Sequence, residues 1–237
     1  MPYCNGELSA EGLMKIQIDK TIGERLPYCQ LGYLILNGVS VKGTPPALSR
    51  EITQLQAEMA ERYQMNVLPQ VPKIMAVRNM YKKLSVDPSR YRPASEALVR
   101  RVLQNRSLYF VNSAVDVNNF CSLKYLLPFG LYDLDKIAGD CVMYRIVGEG
   151  AYTNIAGHTI QAGHRPYLCD ADDIFGNPSS DSRRTAVTLS TERLLCVIYA
   201  DEEESKEELA AMLDFTAEML MRYNGGILVE KGIAAVE

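Results

Sequence analysis

Residues Val115 to Asp140 read VDVNNFCSLKYLLPFGLYDLDKIAGD. Polar side chains (Asp116, Asn118, Asn119, Asp133, Asp135) alternate there with short apolar stretches, and the run carries a Pro-x-Gly turn and an aspartate-rich bend. Each buried amide or carboxylate needs a hydrogen-bond partner, so a purely structural core segment rarely carries this many. The run therefore reads as the wall of a pocket, with its polar clusters on loops.

Around this run the chain changes character. Upstream, Met14 to Leu36 reads as strand, turn and strand. Ser49 opens a helix with Ile52, Leu55, Met59 and Tyr63 on one face. A helix follows from Ile74 to Leu84, and Val86-Asp-Pro-Ser breaks it. Pro93 then sits near the first turn of a helix running to about Leu103. Downstream, Leu108–Val111, Asp140–Ile146, Tyr167–Cys169, Ala186–Thr188 and Leu194–Tyr199 are short β-rich runs divided by Gly, Pro and Asp. Ser205-Lys-Glu-Glu208 has the form of a capping box. It opens a helix with Leu209, Met212, Leu213, Thr216, Leu220 and Tyr223 inward, stopped by Gly225-Gly226. The fold class expected is α/β (mixed α+β), a central mixed sheet flanked by helices. Residues 1–73 form a strand–helix extension packed on a main unit of residues 74–237.

The net charge of −4 argues against a strongly basic nucleic-acid binder, and DNA is not an expected partner. The total hides an asymmetry. Lys73 to Arg106 holds nine cations against two acids, and Asp201 to Glu218 holds eight acids against one cation. These stretches face either separate partners or each other. No apolar run approaches the ~18 residues of a membrane span. The N-terminus lacks an export-signal layout and the six cysteines form no CxxC pair, so a reduced, cytoplasmic protein without a metal site is expected.

Standard catalytic motifs are absent: no Gly-x-Ser-x-Gly elbow, no His-Glu-x-x-His helix, no phosphate-binding loop followed by a helix. Cysteine–histidine chemistry at Cys121 or Cys169 has no spacing to favour it. The Gly148–His164 stretch reads as hairpin turns. Asp170-Ala-Asp-Asp173 reads as a turn. Asp181-Ser-Arg-Arg-Thr185 has two readings: an anion-binding arginine pair, or a strand start with a salt bridge to Asp181.

Three segments together, RNMYKKLSVDPSRYRPASEALVRRVLQ, the Val115–Asp140 run and DSRRT, resemble the B3/B4 domain, the tRNA-editing domain of the phenylalanyl-tRNA synthetase β subunit. The resemblance spans about Ile74 to Tyr199, and residues before it look like the N-terminal portion of free-standing forms. It leaves no room for an aminoacylation module, so the chain is not expected to charge tRNA. It implies a partner that is a tRNA 3′ end or a small amino-acid-like ligand, and no cofactor. Asn118 and Asn119 match the polar pair lining the bacterial editing pocket. Gly130 stands where that family has a histidine, and the strand LLCVIYA lacks the family's pocket glutamate. By this resemblance Asn119, Asp133 and Thr185 are the catalytic candidates. Asn118, Gly130, Tyr132 and Arg184 are candidates for substrate binding, and Arg90, Arg92, Arg100 and Arg101 for RNA. The implied activity is hydrolysis of mischarged aminoacyl-tRNA. The alternative is a non-catalytic binding module that has lost the editing groups; Asp170, Asp172, His158 and His164 are the residues that would refill them.

Overall fold

The computed structural model describes residues 14–236; Cys4 lies outside them. Among the described residues, two four-stranded sheets and six helices build the fold. The first sheet has the order β1 (Lys15–Ile18), β4 (Cys141–Val147), β7 (Arg165–Cys169), β8 (Ile174–Gly176), with β1 parallel to β4 and the remaining pairs antiparallel. The second is wholly antiparallel: β10 (Ile227–Ala235), β2 (Gln30–Asn37), β9 (Arg193–Ala200), β3 (Phe129–Asp133). A small hairpin, β5 (Ala151–Thr153) with β6 (Thr159–Gln161), projects beside them. The expected mixed α+β class holds, distributed over two sheets.

Helices cover one face of the second sheet. These are α5 (Ser113–Tyr125) and α6 (Lys206–Asn224), with α4 (Ala94–Leu103) and α2 (Pro46–Arg62) behind α5. The short turn α1 (Lys20–Gly23) links the first strands, and α3 (Pro72–Lys83) precedes α4. Gly32 of β2 shows why α6 sits close: a Cβ there would meet Leu209 at 3.0 Å. The first sheet meets the other face through aromatic rings. Tyr132 of β3 packs edge-on against Phe175 of β8 at 4.9 Å, and Tyr199 of β9 tilts over Tyr144 of β4 at 5.5 Å. With both faces covered, β9 is buried from Leu194 to Ala200. That explains its nearly continuous apolar sequence.

Several sequence expectations change in detail. The helix read as opening at Ser49 is α2, and it starts at Pro46, where proline's missing N–H costs little. Leu108–Val111 and Ala186–Thr188 are irregular segments, not strands. The strand β10, unanticipated, pairs along β2 after the left-handed Gly225-Gly226 turn. The capping box at Ser205 and Glu208 is formed, and the inward face of α6 is as read.

The largest departure concerns the Val115–Asp140 run, whose first half is helical. Asn112 caps α5 by accepting from the N–H groups of Ala114 and Val115. Asp116 accepts from the N–H of Val111 and the hydroxyl of Thr44. Ser122 donates to the carbonyl of Leu127, and Leu126 ends the helix at a positive φ of 60°. The helix is buried nearly all round, so it shows no one-sided apolar stripe, and Asp116, Asn118 and Ser122 satisfy backbone groups.

Residues 14–73 contribute β1 to one sheet and β2 to the interior of the other. The basic and acidic stretches meet in part. Lys73 pairs with Glu204, and Lys83 with Glu202 at 2.6 Å and Asp201 at 3.4 Å.

Candidate functional site

A cleft of about 520 Å³ opens along the free edge of β3. Phe129 and Leu131 of β3 line it, with Val115, Asn118 and Asn119 of α5 beside them. Asn177, Ser179, Ser180, Asp181, Ala186 and Val187 line it as well, and Tyr109, Val111, Asn154 and Ile155 border it. The 177–187 segment is held down by Asp133, whose N–H donates to the carbonyl of Thr185 at 2.9 Å, and by an isolated bridge between Asn154 and Ser182.

Most polar side chains here are engaged with one another. Asn177 accepts from the N–H groups of Ser179 and Ser180 and donates to the Tyr152 hydroxyl. Asn154 accepts from His158 N–H and donates to Ser180. Asn118 donates to the Phe129 carbonyl at 3.3 Å and accepts from the Cys196 thiol at 3.7 Å. Two groups differ. The Asn119 amide has no hydrogen-bond partner among the described residues. Asp181 accepts through Oδ1 from the Tyr132 hydroxyl at 2.8 Å and from Asn177 N–H at 3.3 Å, while Oδ2 carries no bond among the described residues. Asp181 is the one charged side chain lining the cleft.

The Asp181 carboxyl is pushed up from its ordinary 3.8 to about 7. Desolvation by burial is the dominant cause; the hydrogen bonds from Tyr132 and Asn177 pull the other way. Tyr132 itself stays protonated, since burial and the neighbouring Asp181 carboxylate raise its phenol well above the usual value. Its ring lies across two glycines: a Cβ on Gly130 or Gly176 would overlap the Tyr132 ring and hydroxyl. Its hydroxyl also lies 3.1 Å from that of Tyr199. The glycine at position 130 thus makes room for the phenol that aims at Asp181.

The other sequence candidates lie elsewhere. Asp133 is buried, with Oδ2 accepting from Thr191 at 2.7 Å and facing Lys136 at 2.8 Å. Thr185 is fully buried and reaches the Phe175 carbonyl at 3.5 Å. Arg184 forks onto Asp170 at 2.8 and 3.0 Å and donates to the Lys136 carbonyl. That fork replaces the salt bridge to Asp181 that the sequence allowed. Asp170 also accepts from three turn N–H groups, a structural assignment for that loop. Arg100 and Arg92 lie 2.8 and 4.0 Å from buried Glu96, which Arg78 also meets at 3.0 Å. Arg90 lies over its neighbour Tyr91. Arg101 donates to the Ser107 carbonyl and lies 4.8 Å from the centre of the Tyr109 ring.

Of the predicted residues, then, Asn118 and Asn119 line the cleft and Tyr132 reaches it through Asp181. Sequence reasoning passed over Asp181 as a catalytic candidate because its role depends on a phenol 49 positions away. Cys121 and Cys169 lie outside the cleft lining, with thiols raised by burial to about 12 and about 11. Among the described residues no group of three His, Cys, Asp or Glu is placed to hold a metal ion, and no helix is long and apolar enough to cross a membrane.

A family model for the B3/4 domain matches residues 76–237, more than half of the chain. The chain belongs to the B3/4 domain family. The uncharacterized protein YhzB of Bacillus subtilis (strain 168) is 20% identical over 213 residues, covering 90% of this chain and 96% of that protein. An N-terminal fragment of the phenylalanyl-tRNA synthetase β-subunit from Pyrococcus horikoshii matches with a TM-score of 0.48 and 13% identity. That match covers 96% of this chain and 53% of the fragment, so the chain spans about half the fragment's length.

Proposed function

We propose that the β3-edge cleft receives the acyl end of an aminoacyl-tRNA and hydrolyses its ester. The observation that carries this reading is the Asp181 carboxyl, held by Tyr132 on one oxygen and unbonded on the other among the described residues, in a cleft that the unpartnered Asn119 amide also lines. Water placed between the ester and Asp181 Oδ2 gives up a proton to that oxygen as it attacks the carbonyl carbon. Near pH 7 the carboxyl is part ionised, which suits a general base. The Asn119 amide supplies an N–H for the oxygen that becomes negative. The carbon–oxygen bond to the ribose then breaks, and Asp181 returns its proton to the departing ribose oxygen. An amino acid and a free RNA end leave. Fixed Tyr132 and Asn177 donors hold the base in position, so little reorganisation accompanies the step. Asp133, Thr185 and Arg184 support this site from behind by securing the 177–187 segment and the turn at Asp170. Of the four arginines first assigned to RNA, Arg92 and Arg100 are largely answered by Glu96, which leaves Arg90 and Arg101.

One observation favours a non-catalytic ligand-binding role: the family's histidine position is Gly130, and the Tyr132 ring fills the space above it. The two readings separate on a panel of mischarged tRNAs. Hydrolysis predicts release of one amino acid by the purified protein and a loss of about 100-fold in Asn119→Ala, the size seen on removing one oxyanion donor. Absence of release above buffer for every ester would leave the binding reading.

A further inference from the structure

The segment 107–112, between α4 and α5, carries three large apolar residues that face solvent: Tyr109 is 67% exposed, Phe110 46% and Val111 52%. Tyr109 and Val111 line the mouth of the cleft, and Ile155 of the facing hairpin, 57% exposed, lines it too. A contiguous set of exposed large apolar side chains beside a cleft calls for a partner, unlike the single exposed leucines of an ordinary surface.

The cations around this mouth indicate which partner. Arg78, Arg92 and Arg100 converge on Glu96. Arg101, Arg106 and Arg183 have no acidic partner among the described residues. Arg101 lies against the Tyr109 ring, Arg106 precedes Tyr109 by three positions, and Arg183 follows the cleft-lining Asp181 by two. Arg101 thus sets a charge with no acidic partner against an exposed ring that lines the cleft mouth. Apolar rings flanked by unpaired guanidinium groups suit a polyanion carrying flat apolar faces better than they suit an apolar peptide.

We propose that Tyr109, backed by Arg101, is a stacking platform for an unpaired base of single-stranded RNA, next to the nucleotide whose acyl group enters the cleft. The proposal rests on the reading of the cleft as an ester site. Stacking on the solvent-facing side of the Tyr109 ring needs no specific base, because every base offers a π face. Arg101 contributes charge from the ring's other side, and Arg106 and Arg183 stand ready for the flanking phosphates.

The test uses an unacylated, fluorescein-labelled 12-nucleotide single-stranded RNA ending in CCA, followed by anisotropy against wild type, Tyr109→Ala and Tyr109→Phe. A blunt RNA duplex of the same sequence serves as the control. Wild type is expected to bind the single strand at least tenfold more tightly than the duplex, with affinity falling as salt rises. Tyr109→Ala should weaken binding about tenfold or more, and Tyr109→Phe should restore most of it, which a merely structural role for the hydroxyl would not predict. Because Tyr109 is largely exposed, the variants should melt at the wild-type temperature. Equal binding of strand and duplex, or unchanged binding in Tyr109→Ala, would overturn the platform. So would concentration-dependent dimerisation that Tyr109→Ala abolishes, accompanied by no RNA binding. The probe has no ester, so its result is independent of hydrolysis: a failed platform leaves the ester reading standing, and failed deacylation leaves the platform standing.

Discussion

Desolvation and hydrogen bonding pull the Asp181 carboxyl in opposite directions, and desolvation wins. The consequence for stability has a definite sign. A carboxyl with a raised folded pKa favours the folded state below its unfolded value near 4, and that contribution is lost as pH rises through about 7. The ionised side chain is thus a liability at pH 8. Asp181 lines the cleft, so solvent screens part of the effect, leaving on the order of 2 kcal/mol. Asp181→Asn keeps an oxygen for the Tyr132 hydroxyl and removes the charge. We expect it to exceed wild type in stability by about that amount at pH 8, with the gap closing towards pH 4, as urea titrations at the two pH values would measure. A gap that stays constant with pH would contradict the raised carboxyl. Such a residue, costly to the fold and kept in a cleft, is where function and stability part. Its neighbours explain what the sequence left hidden at this scale. Asn118 and Asn119 were legible as pocket residues because two adjacent amides need an explanation. Asp181 was not, because nothing local marks it; Tyr132 and the two glycines beneath that phenol define its setting.

At the scale of elements, periodicity and capping located α3, α4 and α6, whose apolar positions fall on one face and whose ends carry proline, glycine or a capping box. The same logic failed for α5. Asn112, Asp116, Asn118 and Ser122 look like loop residues until their partners are known, and a helix covered on most sides lacks the stripe by which helices are recognised. Strand β10 was missed for a related reason. It lies at a sheet edge, and Glu230 and Lys231 interrupt its apolar run where they face solvent or Tyr33. The α3–α4 pair depends on Glu96, 1% exposed and met by Arg78, Arg92 and Arg100. Removing that carboxylate leaves partly buried guanidinium groups without an anion. Glu96→Gln should therefore cost about 3 kcal/mol in chemical denaturation. A loss under 0.5 kcal/mol would mean that these arginines are satisfied by solvent.

For the whole molecule, the decisive fact is where residues 14–73 go. Strand β2 lies between β10 and β9, pairing with both over its length, so the sheet that carries β3 and the cleft is assembled from both ends of the chain. A fragment of residues 74–237 should lack a cooperative thermal transition, by calorimetry, although it contains all of the B3/4 match; a sharp transition would show that the sheet closes without β2. The charge asymmetry also resolves at this scale. Lys73 and Lys83 turn to Glu204, Asp201 and Glu202, and Glu96 answers three arginines, so five of the nine cations of the basic stretch organise the fold, while Arg101 lies against Tyr109 at the cleft mouth. The central claim, that this cleft hydrolyses an acyl ester with Asp181 as base, is tested most directly by a pH profile. Deacylation of the best mischarged tRNA from the panel should be followed from pH 5.5 to 8.5 for wild type and Asp181→Asn. The account predicts a wild-type rate that rises through an inflection near 7, and an Asp181→Asn rate at least 100-fold lower with the inflection gone. Equal rates and profiles for the two proteins would contradict it.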